Sequence, residues 1–458
     1  MYRLRELRMK RGLTLRQVAD AVETDYSTLG HIERGRRNFS IETLIKACDF
    51  FGVTTDYMLG RTDNNEKQIK EHKQMEELLT YETAESVTLG HPDRASDYVA
   101  DKLLDAYLKK DPNAHVAIEV MLSHEVCTVA GEVTDIDAVD VQAVAEKTLY
   151  DIYDKTPDSF DADVFPQSPD IEAAVDKGEN QGAGDQGIVY GYATNATFCH
   201  LPIATMLARQ ITNFIDRYGK IGDIGPDGKA QVTIAKNPNG TFNSIKTVVV
   251  SVQHTENQTR EQVEKKVRAL IEPIFAEYDT SKTEFLINPS GRFVIGGYDA
   301  DTGLTGRKLM VDTYGGLAHH GGGAMSGKDP SKVDRSGALM ARWVAVQIVE
   351  AGLAAEAEVS IAYAIGKAQP VAVDVRTNGT WNFAPDRYIA EAVRRTFDFR
   401  PKAIENALNL RNVLYAQTVY LGAFFSNSFR WNLPNRNKID ELNEKLKEVM
   451  HDGEDTSD

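Results

Sequence analysis

Long apolar runs, a disulfide framework and an excess of positive charge are all missing from this sequence. No apolar run in the 458 residues approaches the roughly 18 residues that a membrane-spanning helix needs, and the first residues lack the apolar core of a signal peptide. The three cysteines are too few and too scattered for a disulfide framework or a metal knuckle. The formal net charge of -16 argues against a protein coated in nucleic acid. We therefore expect a soluble, cytoplasmic protein without a membrane partner.

The length and the charge distribution predict several modules. At roughly 150 residues per domain the chain should hold about three domains. Hydrophobic residues make up 42% and charged residues 26%, which excludes a mainly disordered chain. Residues 1–61 carry eleven basic and eight acidic side chains, a charge of +3, so the remainder carries -19. A small basic head on a strongly acidic body indicates two modules with different partners.

Residues 1–61 show apolar residues at helical spacing in four short blocks. Asp25 is the predicted N-cap of the third helix. Glycines are predicted to end the first, third and fourth helices: Gly12, Gly35 and Gly52. Four or five short helices with tight turns are typical of a helix-turn-helix DNA-binding domain. The polar residues 62–80 are predicted to form a linker, with a helix over 65–79.

The stretches LRELRMKRGLTLRQVADAV and TLGHIERGRRNFSIETLIKACDFFGVTTDYMLG resemble the Cro/lambda-repressor-like (XRE-type) helix-turn-helix family. The resemblance implies a recognition helix lined by Tyr26, Ser27, Thr28 and His31, and phosphate contacts from Arg34, Arg36 and Arg37. Glu23 stands at the turn position where the family often has Gly, and a non-Gly residue there costs backbone strain. Asp25 and Gly30 stand where small hydroxyl residues are usual. The alternative is a helical partner-binding or dimerising module that has lost DNA binding.

The body repeats one order of elements three times: a helix, a strand hairpin and a second helix. The predicted first helices are 96–108, 203–218 and 337–353. The predicted hairpins are 115–133, 231–253 and 358–375, and the second helices are 139–153, 259–278 and 387–397. The repeat offsets exceed the 20–50 residues of solenoids. They predict an α+β fold of three similar units in a pseudo-threefold arrangement, each burying a helix pair on one sheet face.

Two glycine-rich segments lie between the predicted units. Gly182 to Gly187 reads GxGxxG, but polar residues precede it and Ile188-Val189-Tyr190 follows it, so we reject a dinucleotide fingerprint. Gly322 to Lys328 reads GxxxxGK, with Asp329 where a P-loop needs Ser or Thr for magnesium. The run 321–323 can still bring backbone N–H groups close to phosphate. Phosphate binding without a standard P-loop is therefore predicted.

Cations and carboxylates cluster in sequence around the glycine run. A polyphosphate needs several cations, and a carboxylate among them can hold magnesium that bridges the same oxygens. The set consists of Arg307, Lys308, Lys328, Lys332, Asp301 and Asp334, and His91 with Asp93 adds a histidine and a carboxylate ahead of a helix. Each residue alone has an ordinary explanation, as a helix cap, a first-turn residue or solvated surface.

Nine ordered segments over residues 81–437 resemble the S-adenosylmethionine synthetase family. They are ESVTLGHPDRASD, GEVT, QSPDI, QGAGDQG, GYATN, NPSGRFVIGG, GLTGRK, VDTYGG and GGGAMSGKDPSKVDRS. The resemblance implies three similar α+β units and a homodimer or homotetramer with active sites at the subunit interface. It also implies adenosyl transfer from ATP to L-methionine, followed by cleavage of the released triphosphate, with two Mg²⁺ per site and K⁺. We expect domains at 1–61 (head), 62–80 (linker), 81–180, 181–297 and 298–437 (synthetase), and 438–458 (a helical, acidic tail, with 451–458 disordered).

The resemblance also implies residue roles. His91 should stabilise the 5′ oxygen of the leaving group. The triphosphate should be held by Lys229, Arg307, Lys308, Lys328 and Lys332. Asp93 and Asp334 match the magnesium sites, and Glu119 matches the potassium site. The nucleotide contacts should be Asp227, Arg292, Phe293, Asp301 and Ala324.

For methionine, the resemblance implies Glu132 and Gln167, with Asp301 and Lys332 helping. Asp185 matches a carboxylate near the reacting centre, where negative charge favours the sulfonium product. Residues 167–177 match a mobile loop over the site; helix-favouring Glu172-Ala173-Ala174 can stiffen it, which leaves the turnover rate open but not the reaction. Arg94 replaces the family's Lys after His-Pro-Asp, which preserves the charge.

Two rival hypotheses remain open. One is a transcriptional regulator that uses a catalytically inactive synthetase body as a ligand sensor. The intact set of His91, Asp93, Lys328, Lys332 and Asp334 counts against it, since a sensor need not keep the leaving-group machinery. The other is an ordinary enzyme whose head serves only in assembly. Dimeric synthetases and dimeric helix-turn-helix proteins share a compatible symmetry, so a DNA-bound enzyme is feasible.

Overall fold

The computed structural model describes residues 2–62, 78–167 and 181–454. The chain forms two compact units, Met1–Tyr81 with Ala235–Asn243, and Glu82–Ile234 with Ser244–Asp458. The predicted linker helix falls outside the described residues except at Leu78 and Leu79, which are not helical. The predicted mobile loop 167–177 falls outside them except at Gln167.

The head consists of five short helices around one apolar core, as predicted. They are α1 (Leu4–Lys10), α2 (Leu15–Ala21), α3 (Tyr26–Glu33), α4 (Ile41–Phe51) and α5 (Thr55–Met58). Asp25 is the N-cap of α3, since its carboxylate accepts the N–H groups of Ser27 and Thr28. Gly52 ends α4 in the left-handed conformation. The core side chains are Leu4, Val18, Leu29, Ile32, Phe51 and Met58.

The turn between α2 and α3 contains a non-glycine residue in a left-handed conformation. Glu23 has φ +51, so the strain expected from a non-Gly residue at this position is present. Its carboxylate pairs with Lys46 at 2.7 Å, and Lys46 also pairs with Glu42 at 2.9 Å. Exposed ion pairs of this kind contribute little to stability.

The body mixes helices and sheets, which confirms the predicted α+β class. Its strands are β1 (Thr80–Val87), β2 (Val116–Ser123), β3 (Val126–Val133), β4 (Ser159–Pro166), β5 (Gly187–Thr194), β6 (Ile224–Lys236), β7 (Phe242–His254), β8 (Glu284–Ile287), β9 (Gly303–Leu304), β10 (Glu356–Tyr363) and β11 (Ala372–Arg376). Its helices are α6 (Pro92–Lys110), α7 (Val141–Tyr153), α8 (Ile203–Tyr218), α9 (Arg260–Ile271), α10 (Leu309–Asp312), α11 (Val333–Glu350), α12 (Asp386–Thr396), α13 (Pro401–Leu408), α14 (Ala416–Leu421) and α15 (Arg436–Glu454). The predicted order of helix, hairpin and helix occurs three times.

The three sheets exchange strands in a cycle. Their strand orders are β4-β3-β2-β9, β1-β6-β7-β8 and β11-β10-β5. The first strand of each predicted unit therefore joins another unit: β1 joins the sheet of the second, β5 that of the third, and β9 that of the first. The antiparallel pairs Ser360↔Tyr190 and Met121↔Leu304 fix the register of two of these joints. The exchange ties the segment at β9 to the sheet beside α6.

Helix α6 is buried along most of its length. Its apolar face packs against β2 and β3 in a core that includes Val99, Leu103 and Leu104, all fully buried. Aspartates at 93, 97, 101 and 105 share another face of the same helix, because residues four apart lie above one another. Any functional group at the N-terminus of α6 is therefore on a rigid element.

Some predicted boundaries are wrong. The helix predicted over 259–278 ends at Ile271 and continues as a 3₁₀ turn, Glu272–Phe275, because Pro273 lacks the N–H that an α-helix needs. The helix predicted to start at 337 starts at Val333. Residues 451–454, expected to be disordered, belong to α15, which buries Leu442, Leu446 and Val449.

No helix among the described residues is long and apolar enough to cross a membrane.

Candidate active site

His91 is both the N-cap of α6 and a buried, neutral imidazole. Pro92 follows at the first helical position, where its missing N–H costs nothing. The His91 ring is 3% exposed, and its Nδ1 accepts the N–H of Asp93 at 3.3 Å. Burial, followed by the charges of Lys308 and Lys229, lowers the pKa of His91 to about 3. Because Nδ1 accepts, the single proton of the neutral ring is on Nε2, which is left as a donor.

The Asp93 carboxylate contacts three residues in and just after β9. Lys308 Nζ lies 2.5 Å from Asp93 Oδ2, Arg307 Nη1 lies 3.3 Å from Oδ1, and the Leu304 N–H donates to Oδ1 at 3.0 Å. Burial alone would raise the pKa of Asp93, but the hydrogen bond and the charge of Lys308 outweigh it, and the pKa is lowered. An ionised carboxylate thus anchors two cations beside His91.

A second lysine–carboxylate pair lies at the glycine run. Lys328 Nζ is 2.6 Å from Asp334 Oδ2 in the first turn of α11. Gly323 has no room for a Cβ, because that atom would overlap the Asp334 carboxylate. The charge of Lys328 also reaches Glu119 on β2: it opposes the effect of burial, which raises the pKa of Glu119. Glycine backbone, Lys328 and Asp334 therefore share one region.

Three of the four predicted methionine contacts lie near one another. Lys332, the N-cap of α11, places Nζ 3.6 Å from Glu132 Oε1. The Gln167 N–H donates to Val133 O at 3.0 Å, next to Glu132 on β3. Asp301, the fourth, is exposed, and its carboxylate accepts the Thr302 N–H at 2.9 Å.

The predicted nucleotide contacts surround the start of β6 and the end of β7. Asp227 Oδ2 accepts the Gly297 N–H at 2.8 Å, and burial raises the pKa of Asp227 to about 6 despite the nearby charge of Lys229. The Phe293 carbonyl accepts the His254 N–H at 2.9 Å, and the Phe293 N–H donates to the His254 ring at 3.1 Å. The exposed Arg292 pairs with Glu256 at 2.8 Å. A cavity of about 560 Å³ adjoins this region and is lined in part by Pro226, Gln253 and Val294.

Ala324 and Asp185 are the remaining predicted site residues, and both lie near glycines. Ala324 lies against Gly306, where an added Cβ would overlap the Ala324 Cβ. The exposed Asp185 accepts the N–H of Gln186 at 2.7 Å, and no described contact ties it to His91. Gly187, two residues further on, approaches Asp334. The GxGxxG segment opens β5 instead of a helix, which confirms that it is not a dinucleotide fingerprint.

Sequence reasoning missed the aspartates that follow Asp93 on α6. Asp97 accepts the Gly306 N–H at 2.9 Å, and Asp101 accepts the Gly327 N–H at 2.8 Å. Asp105 accepts the N–H of Tyr415, just before α14, at 2.7 Å and the N–H of Ala416, the first residue of α14, at 3.0 Å. The sequence signal was present, since Asp recurs every four residues from 93 to 105. Carboxylates on one side of an otherwise buried helix indicate that each of them has a hydrogen-bond partner.

His320 was missed as well. Its Nδ1 accepts the Gly322 N–H at 2.8 Å, and Gly322 has φ +92, a conformation open to glycine. The ring thus fixes the backbone of the glycine run.

The carboxylates suit a hard cation only with help from a substrate. Among the described residues, no group of three or more His, Cys, Asp or Glu side chains is arranged to hold a metal ion. Mg²⁺ is usually bound through one or two carboxylates together with substrate phosphates. Asp93 and Asp334 each offer one carboxylate beside a lysine that can bind phosphate, which fits that mode.

The head presents its predicted DNA contacts on α3 and just after it. Tyr26 is 58% exposed, Ser27 is exposed, and Thr28 and His31 are half-buried. Arg34, Arg36 and Arg37 are exposed, and Arg37 Nη1 donates to Thr28 Oγ1 at 3.1 Å. A guanidinium and a hydroxyl are thus paired on one surface.

Comparison with known proteins agrees with both parts of the chain. Residues 80–173, 180–293 and 295–433 match the N-terminal, central and C-terminal domains of S-adenosylmethionine synthetase. Residues 4–58 match a helix-turn-helix family. The S-adenosylmethionine synthase of Clostridium tetani (strain Massachusetts / E88) is 42% identical over 384 residues, covering 79% of this chain and 98% of that protein. This chain therefore belongs to the S-adenosylmethionine synthetase family, the methionine adenosyltransferases, with an XRE-type helix-turn-helix domain ahead of the synthetase domains.

Proposed function

We propose that this protein converts ATP, L-methionine and water into S-adenosylmethionine, phosphate and diphosphate at the site around His91, and that its head binds DNA. In the first step the neutral thioether sulfur attacks the ribose 5′ carbon, the bond to the 5′ oxygen breaks, and the triphosphate leaves with the electron pair. The sulfur needs no base. The barrier lies in aligning the sulfur and in stabilising charge on the departing oxygen.

One observation carries the catalytic proposal: a neutral, buried His91 with Nε2–H free to donate, beside Lys308 and Lys229. A donor fixed before the reaction stabilises developing negative charge without reorganisation. The ring is fixed because its other nitrogen accepts the Asp93 N–H within the first turn of α6. His91 thus stabilises the 5′ oxygen as it departs.

The triphosphate is held by cations that the protein already neutralises. Lys308 and Lys328 each rest on a carboxylate, Asp93 and Asp334, and Arg307 and Lys229 border the same region. Phosphate oxygens of the substrate take over part of that charge pairing. Both lysines then serve adenosyl transfer and the later hydrolysis, since the same phosphate chain is present in both steps.

Asp93 and Asp334 would hold the two Mg²⁺, and Glu119 would hold K⁺. When bound, Mg²⁺ neutralises phosphate charge during the displacement. Support comes from the carboxylate oxygens of Asp93 and Asp334, the donor type that Mg²⁺ prefers. Removing divalent cations with a chelator should abolish activity, and Mg²⁺ should restore it.

Glu132 and Gln167 receive the amino and carboxylate ends of methionine, with Lys332 and Asp301 assisting. The support is the Lys332–Glu132 pair and the position of Gln167 beside β3. Asp227, Arg292, Phe293 and Ala324 contact the nucleotide. Asp185 supplies negative charge that favours the sulfonium.

The enzyme assembles as a homodimer or homotetramer in the cytoplasm, with each active site shared between subunits. Two heads in one oligomer then meet two DNA half-sites, which raises their effective affinity. The head contacts bases through Tyr26, Ser27, Thr28 and His31, and phosphates through Arg34, Arg36 and Arg37. The Asp25 carboxylate does not oppose this, because it is engaged in capping α3. The domains of the chain are 1–61 (head), 62–80 (linker), 81–180, 181–297 and 298–437 (synthetase), and 438–458 (tail).

The direct test of the activity is one reaction containing purified full-length protein, ATP, methionine, Mg²⁺ and K⁺. The expected products are the sulfonium compound, phosphate and diphosphate in equal amounts. Failure to form the sulfonium, with the protein folded by circular dichroism, would overturn the proposal in favour of a ligand sensor. A normal product yield together with no DNA binding would leave the head as an assembly module.

A further inference from the structure

Two buried aspartates on α6 each hold the glycine that directly precedes a phosphate-binding cation. Asp97 accepts the Gly306 N–H at 2.9 Å, and Gly306 leads into Arg307 and Lys308. Asp101 accepts the Gly327 N–H at 2.8 Å, and Gly327 leads into Lys328. The two phosphate-binding segments, 303–308 and 321–328, are therefore attached to one helix by the same kind of bond.

The attachment is rigid. Asp97 and Asp101 are both 0% exposed, and hydrogen bonds are electrostatically stronger where water is excluded. Positions four residues apart on an α-helix are about 6 Å apart along its axis. The helix thus sets the distance between the two glycine amides, and through them the distance between the cations of the two segments.

The two aspartates differ in the other hydrogen bonds that they make. Asp101 makes two hydrogen bonds with the Arg335 guanidinium, at 3.0 and 2.6 Å. Asp97 Oδ2 has no hydrogen-bond partner among the described residues. Asp97 therefore holds Gly306 through one hydrogen bond, from the Gly306 N–H to a single side-chain oxygen. A carboxamide, which keeps that acceptor oxygen, can replace it.

The segment 303–308 is also confined from the other side. Gly306 has φ +78, and an added Cβ would overlap the Cβ of Ala324 in the neighbouring segment. The Leu304 N–H donates to Asp93 at 3.0 Å, one turn before Asp97. On either side of Gly306, the Thr305 N–H donates to Val120 O at 3.0 Å, and Arg307 and Lys308 pair with Asp93. Loss of the Asp97 bond would remove the one hydrogen bond that ties the Gly306 N–H to α6.

We propose that Asp97 and Asp101 are positioning residues for the triphosphate, fixing the two cation segments at a spacing set by α6. The inference rests on the proposed function, since it takes Arg307, Lys308 and Lys328 as triphosphate ligands. Neither aspartate touches the substrate. Their effect should therefore appear in reactions of the phosphate chain and be absent from the binding of methionine.

The experiment compares full-length Asp97→Ala and Asp97→Asn in two assays, adenosyl transfer and hydrolysis of added tripolyphosphate. Asp97→Ala should lower kcat/KM for ATP and for tripolyphosphate by about 10- to 100-fold, the usual cost of leaving an N–H donor without its acceptor. The KM for methionine should stay within about twofold. Asp97→Asn should recover most of the loss, because its carboxamide oxygen still accepts the Gly306 N–H. Asp105→Asn is the matched control on the same helix, and its kinetics should be unchanged.

The outcomes separate the inference from the function. A wild-type protein that forms no sulfonium and hydrolyses no tripolyphosphate overturns the proposed function. An active wild type with Asp97→Ala within twofold of it overturns the positioning role. That role is also overturned if methionine and tripolyphosphate kinetics fall together and Asp97→Asn gives no rescue. Should Asp97→Ala fail to fold, Gly306→Ala, which displaces the segment from Ala324, must reproduce the phosphate-selective loss, and normal kinetics there overturn the inference.

Discussion

Lys308 Nζ lies 2.5 Å from Asp93 Oδ2, although 215 residues separate them in the chain. Lys328 and Asp334 form a similar pair at 2.6 Å. In both pairs the carboxylate holds the lysine in place before any substrate arrives. A site built this way meets the triphosphate with fixed cations, and fixed charge costs little reorganisation during the reaction.

His91→Asn tests the stabilisation of the leaving oxygen. Asn also caps helices well, so α6 should still begin at the same residue. Loss of the Nε2–H donor should lower kcat by about 10²- to 10³-fold, with a much smaller change in KM. Steady-state kinetics of sulfonium formation measure both values. Turnover close to that of the wild type would remove His91 from the proposed role.

Lys328→Ala tests whether one phosphate chain is shared by both steps. Removing a charged hydrogen-bond donor should reduce adenosyl transfer and tripolyphosphate hydrolysis together, each by about 10- to 100-fold. Lys147→Ala is the control, since Lys147 forms an exposed pair with Asp151 on α7 and should have normal kinetics. A variant that loses only one of the two steps would contradict a shared phosphate site.

The pKa of His91 predicts a pH dependence of stability. Its pKa is about 3 in the folded protein and 6.5 in the unfolded chain, so the unfolded state takes up a proton first. His91 thus adds stability above pH 6.5 that is lost as the pH falls from 6.5 toward 3, by about 1.4 kcal/mol per pH unit. Urea unfolding at pH 7.5 and 5.5 should show this loss for the wild type and for the exposed control His124→Asn, and a smaller loss for His91→Asn. Equal losses in all three proteins would argue against a buried neutral His91.

Arg335→Leu tests the buried pair with Asp101. Arg335 is 2% and Asp101 0% exposed, so the substitution leaves an uncompensated carboxylate inside the protein. The free energy of unfolding should fall by about 3–5 kcal/mol. Urea unfolding measures the change, with Lys147→Ala, whose ion pair is exposed, expected within about 0.5 kcal/mol of the wild type. A loss for Arg335→Leu as small as that of the control would mean that Asp101 is not isolated from water.

The head should bind a short inverted repeat with half-sites about one helical turn apart. The body carries most of the negative charge and repels DNA, so the affinity must come from a few head cations and base contacts, and should fall steeply with salt. Deleting residues 1–61 should abolish binding and leave synthetase activity intact. Selection from random duplexes, followed by titration at several salt concentrations, measures both properties.

Substitutions in the head should separate base reading from phosphate binding. Replacing Tyr26 and Thr28 should relax the sequence preference, whereas Arg36→Ala should weaken all duplexes alike. A selection that enriches no motif would indicate a helix-turn-helix that has lost DNA binding. Glu23, Asp25 and Gly30 would then be marks of that loss.

The sequence alone determined the elements whose signals are local. Asp25 caps α3 and Gly52 ends α4 as predicted, because capping depends on residues within one turn. The helix predicted over 203–218 coincides with α8, since its apolar residues repeat at helical spacing. The ordered motifs of the synthetase domains also identified the family, because the residues that perform the chemistry are fixed in type and spacing.

Only the tertiary structure decided which strand pairs with which sheet. β1, β5 and β9 each join the sheet of another unit, and nothing within a single strand specifies a partner that is distant in the chain. β9 has two residues, too few for any periodic signal. The same limit hid the function of Asp97 and Asp101: their four-residue spacing is visible in the sequence, but Gly306 and Gly327 meet them only after the exchanged strand carries the third unit onto α6. Hydrogen bonds across more than 200 residues depend on that packing, whereas a helix cap depends on its neighbours alone.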